Sequence, residues 1–206
     1  MCRGNNKQNL FFTDVDKEYY RSLLRKHKYE NKILINHYCL MNNHVHLIVW
    51  LKAHSRLSRF MKQVNLSYFK FYNKKYGYCG HLWQDRFKSN IIDSDIYLLH
   101  CGKYIELNPV RARLVNSPGE YEFSSYNFYA KTRCDDIVTL NPALFEFSVS
   151  EEIRRKYYIE FTVDYDSINR KNLNSLTFIG SKEFIESKEK TFGVMNAPRR
   201  RGRPKK

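Results

Sequence analysis

No apolar run in this 206-residue sequence approaches the ~20 residues of a membrane-spanning helix, and its polar opening, MCRGNNKQN, has no signal-peptide character. A membrane protein is therefore not expected, and a cytoplasmic one is. Cysteine is sparse: Cys2, Cys39, Cys79, Cys101 and Cys134 are scattered, odd in number and without a CxxC pair. That pattern argues against a disulfide framework or a zinc knuckle and fits a reducing compartment. Acid is the other shortage. Asp and Glu total 21 against 36 Lys and Arg, a formal charge of +15, so an anionic partner is expected. Nucleic acid fits first and a membrane surface second, while a phosphohydrolase of small molecules is hard to square with that charge. There is no internal repeat, and the length allows one core with an appendage.

Patterning gives the organisation. DVDKEYYRSLLRKHKYE reads as a helix started by Asp14 or Asp16. KILINHYCLM and HVHLIVWL read as a strand hairpin turning at Asn42-Asn43. Leu57, Phe60, Met61, Val64, Tyr68, Phe71 and Tyr72 recur at helical spacing up to a stop at Gly77. HLWQDRFKSNII alternates and reads as a strand. A helix capped by Asp93 or Ser94 should run to Asn108, where Pro109 interrupts, with a short one over Val110 to Val115. GEYEFSSYNFY looks like an aromatic docking segment, and short helices should follow, one of them capped by Ser181. The order predicts an α+β fold, an antiparallel sheet covered by helices. The expected divisions are 1–134, a helical extension over 135–193, and a basic tail over 194–206 too poor in apolar residues to fold alone.

His44 and His46 are the polar exceptions in an apolar strand, and their i, i+2 spacing sends both rings to one face. Neutral imidazoles so placed are suited to one divalent cation, yet the solvated face of an amphipathic strand is the commoner reason for an H-x-H taken alone. Tyr104 and Asn108 share a helix face four residues apart. A phenol can be a covalent nucleophile and a carboxamide oxygen can complete a cation's coordination, although a half-buried aromatic would also account for Tyr104. The residues alone leave these alternatives open.

YCLMNNHVHLIV, GHLWQDRFKSNII and YIELNPVRARLV occur in this order. Together they resemble the HUH-type single-tyrosine transposases, in particular the REP-associated tyrosine transposases, over roughly Arg3 to Tyr129; LTFIGSKEF resembles that branch's tail region. Asn42 stands where the family has proline. The strand that the family carries ahead of RGNN is almost absent, implying a late start, a trimmed sheet edge or an inactive copy. The resemblance implies a ferredoxin-like sheet, His44, His46 and Asn108 as ligands of Mg²⁺ or Mn²⁺, and Tyr104 as the nucleophile that forms a 5′-phosphotyrosine. Its substrates would be short hairpins of single-stranded DNA, cut and rejoined, and a DNA-binding protein that no longer cuts is the rival on the same fold. Both single chains and pairs remain compatible with it.

Arg86, Lys88, Arg111 and Arg113 flank the expected site as phosphate contacts or as ordinary solvated surface. Trp83 and Gln84 are expected to pack and orient the sheet. RRRGRPKK resembles an AT-hook core, with Arg201 and Arg203 following a minor-groove floor, though a generic polybasic tail serves equally.

Overall fold

The computed structural model describes residues 1–93, 95–146, 148–163 and 177–196, so Ser94 and the tail bearing Arg201 and Arg203 lie outside the described residues. The expected hairpin is β2 (Ile33–Met41) and β3 (His44–Leu51), antiparallel, turning at Asn42-Asn43. A two-residue strand, β1 (Cys2–Arg3), pairs with the start of β3, giving the antiparallel order β1-β3-β2. Helices pack on this sheet, as the α+β reading expects. Among the described residues no helix is long and apolar enough to cross a membrane.

Register sorts the side chains. Cys2 lies opposite Val45, and Leu40 also pairs with Val45; all three are buried on one face. There α1 (Asp14–Glu30) and α2 (Leu57–Tyr76) pack, and Cys2 Sγ accepts a bond from Asn65 Nδ2 of α2. Arg3 opposite His44, and Cys39 opposite His46, leave the other face. The start of α1 differs in detail from the expectation. Thr13 is the residue before the helix, and the buried Asp16 reaches back to accept from the Phe12 and Thr13 N–H groups. Gly77 ends α2 at φ +60°, as the stop signal predicts.

The strand expected over HLWQDRFKSNII is a correction. Only β4 (Ile91–Ile92) forms, pairing parallel with β5 (Phe178–Ile179). Upstream the segment runs beside β1 without forming a strand: Trp83 bridges Gly4, Gln84 N–H donates to Arg3 O, and Lys88 N–H donates to Met1 O. Unbroken antiparallel register would bring Arg86 opposite Met1. Lys88 is there instead, so two extra residues are extruded and the ladder breaks.

The following helix is α3 (Asp95–Glu106), and α4 (Asn108–Arg111) succeeds it, in place of one helix reaching Asn108 and another over Val110 to Val115. Pro109 lacks an N–H and fits the first turn of a new helix, so the chain restarts there. The Asp93 carboxylate accepts from Ser181 N–H. The aromatic segment docks as expected along the outer edge of β2. Leu40 N–H donates to Phe123 O at 2.9 Å, and Tyr38 N–H to Ser125 Oγ at 3.0 Å. Beyond it come α5 (Tyr126–Ala130), α6 (Glu151–Val163) and α7 (Lys182–Phe192), the last capped by Ser181. Ile137, Leu144 and Tyr158 join the same core as the sheet.

One buried polar node fixes α3. Glu106 and His37 are fully enclosed, Nδ1–H of His37 lying 2.9 Å from the carboxylate, while Asn141 donates to the ring's other nitrogen. Ser125 and Tyr158 hydroxyls also donate to Glu106, tying β2, α3, α5's approach and α6 together. Gly102, one turn before Glu106, lets the helix close on the ring: a Cβ there would lie 2.6 Å from His37 Cε1. Gly102→Ala should therefore lower stability by about 1–3 kcal/mol through overpacking. Gly119→Ala, whose new methyl would meet the flexible end of Lys131 and, at ordinary contact distance, the edge of Tyr126, is the control. Equal melting temperatures for the two variants would refute the close approach.

Candidate active site

β3 delivers His44 and His46 from one face, with ring centroids 4.9 Å apart and planes near perpendicular. α3 brings Tyr104 to the same place, its ring 6.4 Å from His46 and perpendicular to it, so His46 stands between the other two. His46 is buried; His44 and Tyr104 are half-buried. A cleft of about 630 Å³ is lined by His46, Phe87, Lys88, Cys101, Tyr104 and Ile105. Beside it a groove of about 700 Å³ is lined by Arg3, Asn6, Lys7, Gln84, Asp85, Arg86 and Lys88. Lys88 belongs to both.

Burial chiefly, then the positive charge of Arg3, pushes His44 down to about 4. Burial, reinforced by His44 itself, holds His46 well below the ordinary histidine value. Both rings are therefore neutral near pH 7. His44 Nδ1 lies 2.6 Å from Asn43 Oδ1, an arrangement in which Nδ1–H donates and Nε2 keeps its lone pair. Two neutral nitrogen donors close together fit a divalent cation in chemical kind. Among the described residues no group of three His, Cys, Asp or Glu side chains is placed to hold an ion.

Asn108 is anchored at the end of α3, Nδ2 donating to Tyr104 O and Ile105 O at 3.1 Å each, which leaves Oδ1 as its acceptor. Arg111 covers the tyrosine, its guanidinium carbon 4.7 Å from the Tyr104 ring centroid and Nη1 donating to Tyr104 O. Arg113 is exposed just beyond α4 at φ +57°. Arg86 and Lys88 line the groove. Trp83 packs as expected, donating from Nε1 to Asn65 O, whereas Gln84 lines the groove. Arg3, Asn6 and Lys7 were not legible as site residues. Their only signal is their place in RGNNK at the chain's start, where a strand of two residues leaves no alternation to read.

Residues 1–108 match the family model described as IS200-like transposase. No curated protein matches the chain. Among solved structures, that of a REP-associated tyrosine transposase bound to a REP hairpin is similar in fold, with a TM-score of 0.51 and 20% identity over 67% of this chain and 81% of that one.

The depressed imidazole values set a pH dependence. The folded protein binds fewer protons than the unfolded chain wherever His44 is neutral only in the fold. That stability is complete above about 6.5, the ordinary value, and is lost as pH falls towards about 4. In EDTA the melting temperature should drop from pH 7 to pH 4.5, and less so in His44→Gln. Identical slopes for the two proteins would contradict a ring held neutral by burial.

Proposed function

The chain belongs to the IS200-like transposases, and from that premise we propose that it cuts and rejoins single-stranded hairpin DNA through a covalent bond to Tyr104. The observation that carries this reading is the position of His46, in ring contact with both His44 and Tyr104. The fold-level likeness to a transposase bound to a REP hairpin supports hairpin DNA as the substrate, and so does the formal charge of +15.

His44 and His46 would hold a divalent cation, Mg²⁺ or Mn²⁺, with Asn108 Oδ1 as a third donor. When bound, such a cation supplies charge neutralisation at a phosphoryl oxygen. The chain's own residues do the rest. Tyr104 Oη attacks the phosphorus; the Oη–P bond forms, the P–O3′ bond breaks, and the 3′ oxygen departs as a hydroxyl. The phenolic proton passes to solvent. The 5′-phosphotyrosine conserves the energy of the phosphodiester, so a 3′ hydroxyl of another strand can reverse the step without ATP. Arg111, stacked on the phenol and bonded to its backbone, orients it. Arg86 and Lys88 grip the entering backbone, with Arg113 and the tail residues Arg201 and Arg203 adding affinity. The chemistry is thus assigned to 1–134 and added DNA affinity to the basic tail over 194–206, while the extension over 135–193 carries no assigned role.

With Mn²⁺ and short palindromic hairpin oligonucleotides, the full chain should form an adduct that survives SDS. Tyr104→Phe should abolish it, and EDTA or the His44→Ala, His46→Ala pair should lower its rate by roughly 10³-fold or more. An adduct retained in Tyr104→Phe would refute the nucleophile. Hairpin binding in EDTA with no cleavage under any divalent ion would replace this reading with that of a DNA-binding protein that does not cut.

A further inference from the structure

Arg3 has no part in the scheme above, yet its placement resembles that of a substrate ligand. It lies directly opposite His44 in the β1–β3 ladder, so its side chain leaves the same face as the two imidazoles. Its backbone is held from both sides, by that ladder and by Gln84 N–H on Arg3 O at 2.9 Å. Arg3 Nε is buried without a hydrogen-bond partner. Among the described residues its guanidinium enters no ion pair, and neither do Lys7, Arg86 or Lys88 along the same groove. Native interiors rarely leave a buried donor on a charged group idle. An anion brought by a ligand is the partner such a fork is shaped for.

The surroundings say which anion. The groove carries four cationic side chains against one carboxylate, Asp85, and opens at Lys88 onto the cleft that holds His46 and Tyr104. α3 lies over β2 and β3, and β1 lies on the far side of β3 from β2. Tyr104 and Arg3 therefore reach the histidine pair from different sides. We propose that Arg3 contacts the phosphate that Tyr104 attacks, its guanidinium holding a non-bridging oxygen while the strand enters along the groove. This rests on Tyr104 being the nucleophile.

The test compares Arg3→Ala and Arg3→Lys in the full chain with Lys26→Ala, which removes one exposed charge from α1, far in role from the cleft. Two quantities are read on one hairpin oligonucleotide: binding in EDTA as a function of salt, and single-turnover adduct formation with Mn²⁺ at saturating DNA. Arg3→Ala should reduce the salt slope by about one and the saturated rate by roughly 100-fold or more, with free guanidinium restoring part of the rate. Arg3→Lys should keep most of the slope but not the rate, since a point charge lacks the planar fork. Lys26→Ala should leave the rate unchanged. A saturated rate unaffected by Arg3→Ala overturns the proposal, and so does an unaltered salt slope. If the wild type forms no adduct, the reading of Tyr104 fails by itself, and the slope still decides whether Arg3 holds a phosphate. Should Arg3→Ala fail to fold, Arg3→Lys and Arg3→Gln carry the same comparison.

Discussion

The approach of His37 to Gly102, sealed by Glu106, is the constraint on which the site depends. α3 must present two surfaces at once. Gly102 and Glu106, four residues apart, meet the ring of His37, while Cys101, Tyr104 and Ile105 line the cleft beside β3. A helix has one rotational phase, so locking the first surface aims the second. The lock is polar where a merely greasy contact would allow sliding: Glu106 takes donors from His37, Ser125 and Tyr158, three groups from three parts of the chain. The distance from Tyr104 to the histidines is thus governed by residues that never face the cleft.

Charge is arranged with a comparable division. A strongly basic chain repels cations from its centre, and an imidazole must shed its added proton before it can ligate one. Burial achieves that here, with Arg3 assisting by discouraging protonation next door. The same arginine charge that disfavours imidazolium favours phosphate. One side chain thereby serves both requirements of a site where a cation and an anion would meet.

Local patterning was enough to read the hairpin, α1, α2, the same-face histidines, the helix carrying Tyr104, and the Ser181 cap. Each of those follows from periodicity or a stop signal within a few residues. The misreadings share another origin. HLWQDRFKSNII alternates well, but its pairing is decided by β1, with which it falls out of step by two residues. Asp93, one of the two caps expected for α3, binds Ser181 N–H, 88 positions later, while Ser94, the other, lies outside the described residues. The Glu106 node was invisible because an acid inside an apolar helix names none of its donors. Arg3 escaped notice since its meaning comes wholly from the residue across the ladder.

The docking of residues 121–125 along β2 bears on how the molecule is made. β2 spans nine residues, is buried almost throughout, and has β3 on one side only. Its other edge is closed by Phe123 and Ser125, the latter 87 positions downstream of Tyr38, by Thr139 N–H on Ile35 O, and by the Tyr121 and Tyr129 hydroxyls on Leu40 O and Asn36 O. Until that stretch leaves the ribosome, a greasy ribbon is left open to pairing with any neighbouring polypeptide. Maturation of the sheet is therefore a late event in synthesis, and the nascent chain is most vulnerable to clumping just before the aromatic clasp arrives.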